Sequence, residues 1–182
     1  MQLGIVGLGR MGANIARRLM RAGHACVVYD KDPTPGSTLA GEGATAASTL
    51  AGLVQNLAAP RAVWVMLPAG PATETAISEL SKLLSPGDTL IDGGNTFWKD
   101  DVRRARELEP KGLHYLDIGT SGGVWGLERG YCLMIGGGKA AVDRLDPIFS
   151  ALAPGKGDIP PIVRRAGRDP RVERGYLHAG AS

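Results

Sequence analysis

An α/β architecture is what the 182-residue sequence predicts, and three observations carry that expectation. Apolar runs of strand length alternate with segments of helical period as far as residue 152. The run at residues 61–67 reads as a continuous apolar strand, buried on both faces as in a parallel sheet. A turn with three glycines, Gly7-Leu8-Gly9-Arg10-Met11-Gly12, joins the first strand to the first helix. Strand–helix–strand order repeated in this way gives a Rossmann-type doubly wound, mostly parallel sheet with helices on both faces.

Each element follows from its local pattern. Residues 3–6 form the first apolar run. Residues 10–22 read as a helix, because Met11, Ile15 and Leu19 recur at i, i+4 and i+8 while Arg17, Arg18 and Arg21 take the other face. Residues 25–29 are the second strand, ending in Asp30. Residues 32–43 are rich in Pro, Gly and Thr and read as a loop with at most one helical turn. Residues 48–56 form a short helix with Ser48 as its N-cap. Beyond the strand at 61–67 come a helix at 71–84, closed by Pro86-Gly87, and a strand at 89–91. A helix at 99–109 and strands at 113–118 and 131–135 follow. The last helix spans 140–152, with Val142, Leu145, Ile148, Phe149 and Leu152 on its inner side. After Pro154 the pattern stops, and residues 155–175 are basic, rich in Pro and Gly, and read as a linker. The expected division is a cofactor-binding domain at 1–154 and a linker region at 155–182.

Composition excludes several classes of function. Hydrophobic residues make up 43% and charged residues 21%, which is globular. The net charge is +3, and the segment from Arg164 to Arg174, with five arginines against Asp169 and Glu173, carries all of it. That segment reads as a solvated linker, and aromatics at 5% leave little for base stacking, so no nucleic-acid partner is expected. Cys26 and Cys132 lie in apolar runs and read as small buried hydrophobes, without disulfide or metal spacing; no metal site is expected. No apolar run approaches the length of a membrane span, and Met1 leads at once into a strand and turn. The expectation is a cytoplasmic protein without a membrane partner.

The turn at residues 7–12 has the spacing of a dinucleotide site. Gly7 makes the tight turn, Gly9 lets backbone approach a pyrophosphate, and Gly12 allows close helix–strand packing, with Leu8, Arg10 and Met11 between them. Asp30 ends the second strand 18 residues past Gly12, where a carboxylate accepts from ribose hydroxyls and repels a 2′-phosphate. This favours NAD, while Lys31 beside it softens the discrimination and leaves NADP open. Two further strand ends should flank the cofactor: Leu67-Pro68-Ala69-Gly70 and Asp92-Gly93-Gly94-Asn95. The Asn95 amide can donate and accept, as a carboxamide or polyol requires. Finally, residues 117–130 place five glycines and Thr120-Ser121 directly after a strand, a loop with bare N–H groups and a hydroxyl for a charged ligand. Lys99, Lys111, His24, His114 and His178 read as surface or structural groups.

With these motifs in view, the chain resembles the 6-phosphogluconate dehydrogenase family, the decarboxylating enzymes of the pentose phosphate pathway, and most closely its shorter bacterial form. The resemblance covers nearly all 182 residues. It is carried by the turn at 7–12, by Ile91-Asp92-Gly93-Gly94-Asn95, and by residues 119–130 running into Tyr131-Cys132-Leu133-Met134-Ile135-Gly136-Gly137. It implies NAD(P)-dependent oxidation of 6-phospho-D-gluconate at its C3 hydroxyl, loss of CO2 from the 3-keto acid, and protonation of the enediol to ribulose 5-phosphate. It implies that Ser121, Gly122 and Gly123 hold the substrate and that Asn95 lies between substrate and nicotinamide. Val124 and Trp125 depart from the long form, which has acidic residues there, and Trp125 is expected to pack at the pocket edge.

The resemblance also implies a general base, a lysine on a helix just beyond the linker, and a helical domain that forms the family's homo-oligomer. Tyr176-Leu177-His178-Ala179-Gly180-Ala181-Ser182 matches the segment leading into that helix. These 182 residues are accordingly expected to hold no catalytic residue, to be inactive alone, and to run as a monomer or weak dimer. Two other readings remain beside this one. One is a different β-hydroxyacid dehydrogenase, against which Asn95 after two glycines counts; the other is a catalytically inert NAD-binding module.

Overall fold

The computed structural model describes residues 1–157 and 169–181. Its strands are β1 (Gln2–Val6), β2 (Ala25–Tyr29), β3 (Thr45–Ala46), β4 (Ala62–Val65), β5 (Thr89–Asp92), β6 (His114–Ser121), β7 (Cys132–Gly137) and β8 (Tyr176–Gly180). They form an eight-stranded sheet in the order β3-β2-β1-β4-β5-β6-β7-β8. All neighbours pair in parallel except β6 and β7, which are antiparallel. The helices are α1 (Arg10–Arg21), α2 (Pro33–Gly41), α3 (Leu50–Gln55), α4 (Pro71–Leu83), α5 (Trp98–Leu108), α6 (Gly126–Arg129), α7 (Lys139–Arg144) and α8 (Asp146–Leu152).

Successive strand residues point to opposite faces, and both faces are covered over β1, β4 and β5. On one side Leu3, Ile5, Trp64 and Ile91 pack with Ile15 and Leu19 of α1 and Phe149 of α8. Trp64 and Phe149 meet edge to face with ring centroids 6.4 Å apart. On the other side Val63, Val65 and Leu90 pack with Leu53 of α3, Ile77 and Leu80 of α4 and Leu108 of α5. This double burial is why the central strands read as unbroken apolar runs.

Several expectations are corrected. Residues 33–41 are a helix and not a loop: the Asp32 carboxylate caps it by accepting from the Thr34 N–H at 2.9 Å, Pro33 enters its first turn, and Leu39 is buried. The cap of α3 is Thr49 rather than Ser48, its hydroxyl accepting from Gly52 N–H at 2.9 Å. The helix expected at 140–152 breaks at Leu145, because Pro147 cannot donate back into the preceding turn. Strand β6 runs on through Ser121, so Gly119, Thr120 and Ser121 pair with β7 instead of opening a loop. Cys26 is buried, and burial pushes its thiol up to about 12. Cys132, by contrast, is exposed on β7, because a strand at this side of the sheet has one uncovered face.

Part of the expected basic linker lies outside the described residues, namely 158–168 with Arg164, Arg165 and Arg168, as does Ser182. From Asp169 onward the chain returns to the sheet, and β8 pairs parallel to β7. One guanidinium fastens this segment: Arg171 donates to Asp146 and to Asp143, each at 2.7 Å. The Lys139 and Arg171 hydrogen bonds hold the Asp143 carboxyl down to about 2. The Tyr176 hydroxyl adds a bond to Asp146 at 3.2 Å. Arg171→Ala should therefore lower amide hydrogen-exchange protection in β8 roughly tenfold, about 1.4 kcal/mol, while β1, β4 and β5 keep theirs. Unchanged protection in β8 would show that the backbone ladder alone holds it.

Candidate functional site

Strand β1 has β2 on one side and β4 on the other, so the chain winds away from its carboxyl end in two directions. In such a sheet the crevice opens at that switch point. Here the carboxyl ends of β1, β4, β5 and β6 surround a cleft of about 660 Å³, lined by residues 9–12, 66–69, 93–95 and 119–120.

The first wall is the glycine turn. Gly7 has φ +90°, a conformation that side chains rarely adopt, and its N–H donates to Tyr29 O at 2.9 Å. A side chain at Gly12 would strike the Gly7 carbonyl, so only glycine lets α1 begin this close to β1. At Gly9 nothing lies within 4 Å of where a Cβ would stand, which is room for a ligand. Among the described residues no side chain caps α1, which leaves its first-turn N–H groups to an anion, with the positive end of the helix dipole behind them. The turn therefore fits a pyrophosphate.

Asp30 stands at the end of β2 beside this turn. Its Oδ2 accepts from Leu8 N–H at 2.6 Å and its Oδ1 from Asp32 N–H at 3.0 Å. Each carboxylate oxygen keeps a further lone pair for a ribose hydroxyl. Gly7, Leu8, Asp30 and the exposed Lys31 lie behind the cleft lining, while Gly9, Arg10, Met11 and Gly12 form it. Leu67, Pro68 and Ala69 supply the facing wall, where the Thr73 hydroxyl holds the Pro68 carbonyl at 2.9 Å.

The third wall is the turn after β5, with Asn95 exposed at its tip. The carboxylate of Asp92 reaches into it, accepting from Gly94 N–H and from the Thr96 hydroxyl, both at 2.8 Å. Beneath lies Arg104, almost fully buried, which donates to Asp92 at 2.9 Å and also meets Glu74 and Asp101. Burial pushes the Asp101 carboxyl up to about 6, against the pull of its 2.8 Å bond from the Tyr115 hydroxyl.

Gly119 and Thr120 close the cleft, but Ser121, Gly122 and Gly123 do not line it; they are exposed and continue outward from its edge. A 3₁₀ turn at Gly123–Trp125 and then α6 follow. Trp125 is 63% exposed instead of packing at the pocket edge, with the Arg129 guanidinium 5.2 Å from its ring centre. Arg18 of α1 holds this segment from behind. It donates to Leu127 O at 3.1 Å, to Ala151 O and Leu152 O at 3.0 Å, and to Ala153 O at 2.8 Å. One cation thus closes the carboxyl ends of two helices, a favourable place for positive charge. The sequence pattern places Arg18 on the face of α1 opposite its apolar stripe and gives no role to Arg104, because charges on helices read as outward.

The raised Asp101 carboxyl has a consequence for stability. Folded Asp101 binds its proton up to about pH 6, above the ordinary aspartate value of about 4, so folding is favoured as pH falls through that window. Above it the buried charge is a penalty. Asp101→Asn should raise Tm near neutral pH by ~2–4 °C, about 1 kcal/mol, and flatten the stability slope between those two values. A lowered Tm would mean that the charge itself supports the Arg104 cluster.

Comparisons with known proteins bear on this geometry. Residues 2–160 match the family model described as the NAD binding domain of 6-phosphogluconate dehydrogenase. YqeC of Bacillus subtilis is 36% identical over 180 residues, which is 99% of this chain and 54% of that protein. The NAD(+)-dependent, decarboxylating 6-phosphogluconate dehydrogenase of Haloferax volcanii is 42% identical over 155 residues, 85% of this chain and 51% of that protein. The chain spans about half the length of these curated relatives. Among solved structures, the 6-phosphogluconate dehydrogenase of Plasmodium falciparum, studied with NADP+ and with 6-phosphogluconate, superposes with a TM-score of 0.81 at 30% identity. That match covers 88% of this chain and 36% of the other. The glycine turn at the switch point, the fold around it and the family match agree: this chain belongs to the family of NAD-binding domains of 6-phosphogluconate dehydrogenase.

Proposed function

We propose that this chain supplies the cofactor site and part of the substrate site of a cytoplasmic, NAD-dependent, decarboxylating 6-phosphogluconate dehydrogenase. The observation that carries the reading is the meeting of residues 9–12 of the glycine turn and Asn95 in one cleft. The reaction oxidises the C3 hydroxyl of 6-phospho-D-gluconate, releases CO2 from the 3-keto acid and protonates the enediol to ribulose 5-phosphate. A bound nicotinamide dinucleotide supplies the hydride acceptor.

The residues divide the binding work. N–H groups at the start of α1 receive the pyrophosphate, and Asp30 accepts from the adenosine ribose, so that a 2′-phosphate meets a carboxylate. Asn95 orients sugar hydroxyls against the nicotinamide side. The Ser121 hydroxyl with the Gly122 and Gly123 backbone receives the substrate carboxylate at the rim. Among the described residues no lysine lines the cleft. By family resemblance the general base belongs to a helix outside these 182 residues, within the helical domain through which the homo-oligomer forms. The division at residue 154 between cofactor domain and linker region belongs to the same proposal, with that region returning to the sheet at β8. A different β-hydroxyacid dehydrogenase fits less well, because Asn95 follows two glycines.

Titration calorimetry should find NAD bound about tenfold or more tightly than NADP, and a spectrophotometric assay of the 182-residue chain should find no phosphogluconate-dependent NADH. Preference for NADP would overturn the role of Asp30. Clear turnover would put the base within this chain, whereas NAD binding without phosphogluconate binding would favour an inert dinucleotide-holding module.

A further inference from the structure

We propose that the buried Asp92–Arg104 pair is a positioning device for Asn95, holding its amide at the nicotinamide and substrate side of the cleft. The inference rests on the dinucleotide reading of the cleft given above. Asp92 is the last residue of β5, its side chain 1% exposed, and Arg104 of α5 is 2% exposed. The three bonds that Asp92 accepts go to the two neighbours of Asn95 and to this guanidinium: Gly94 N–H at 2.8 Å, Thr96 Oγ1 at 2.8 Å and Arg104 Nη1 at 2.9 Å. Asn95 itself is exposed and makes no side-chain hydrogen bond among the described residues. Its position is therefore set by what grips residues 94 and 96.

The grip has a second side. A Cβ on Gly94 would stand 2.7 Å from the Leu67 carbonyl, so the turn is pressed against the wall that follows β4. Gly93 lies directly on the Trp64 indole, where a side chain has no space. Arg104 is itself fixed by Glu74 of α4 and by Asp101. Charged hydrogen bonds in a dry setting are strong and directional, which suits a short irregular turn that has no ladder of its own. The two carboxylate oxygens of Asp92 share the work: Oδ1 accepts from the Gly94 N–H, and Oδ2 accepts from both the Thr96 hydroxyl and Arg104. The cluster thus carries order from the sheet to a side chain that contacts ligand, without touching ligand itself.

The test separates the nicotinamide end from the adenosine end. Calorimetry on the 182-residue chain measures NAD and ADP-ribose binding for wild type, Asn95→Ala, Thr96→Val, Asp92→Asn and the double variants with Asn95→Ala. Asp92→Asn should weaken NAD about tenfold and Thr96→Val about threefold, with ADP-ribose changed less than about twofold. Neither should weaken NAD further once Asn95 is alanine, because both act through it. Additive losses in the double variants, or parallel losses of NAD and ADP-ribose, would overturn the positioning role. Thr96→Val leaves the ion pair intact, so it carries the cycle should Asp92→Asn fail to fold. A wild-type chain that binds neither ligand would sink the dinucleotide reading and this inference together, whereas binding with additive losses sinks this inference alone.

Discussion

Everything at the ligand end of this molecule depends on how closely α1 can start behind β1. The Gly7 carbonyl and the backbone of Gly12 are in direct contact, and any side chain at residue 12 would force them apart. Because they touch, the helix axis points its free N–H groups at the crevice between β1 and β4. The reversal of strand order at β1 then leaves that crevice empty of crossover connections, since one crossover leads toward β2 and a later one returns at β4. Close packing at two glycines and a topological reversal together make the cleft, and the remaining walls are built onto it.

Three segments at this end of the sheet share a design, each tied from behind by a charged group bonded to backbone, while the wall at residues 67–69 is held by the neutral Thr73 hydroxyl. Asp30 holds the first turn through Leu8, Asp92 holds the turn bearing Asn95 through Gly94, and Arg18 holds the segment after Ser121 through the carbonyls of α6 and α8. Backbone groups in such segments have no ladder partners, and a charge-assisted bond satisfies them more strongly than a neutral one. Asn95 and Ser121 are exposed while their neighbours are held.

Much of the frame was legible beforehand, for physical reasons. Strands β1, β2, β4 and β5 are buried on both faces, so their composition alone declares them, and α1 carries a clear 3.6-residue period. The glycine turn was legible because three separate steric demands fall on three fixed positions. What escaped notice was decided by single side chains or by pairing. Helix α2 depends on Asp32 as a cap in a segment whose composition suggests a loop, and two-residue β3 is too short to show any alternation. Gly119, Thr120 and Ser121 are strand because β7 runs beside them, which a glycine-rich sequence conceals. Arg18, Asp92 and Arg104 were unreadable as supports, since a charge on a helix or strand end ordinarily faces water and only tertiary contact shows otherwise.

The central claim is that the cleft at the β1–β4 switch point holds the dinucleotide with its pyrophosphate at the start of α1. An amide chemical-shift map of the 182-residue chain during NAD titration tests this most directly. The account predicts the largest saturable shifts at Gly9, Arg10, Met11 and Gly12, accompanied by Gly94 and Asn95, with the Arg171 region unmoved. Shifts centred instead on the depression of about 440 Å³ lined by Lys139, Asp143, Arg171 and His178, with residues 9–12 silent, would contradict it.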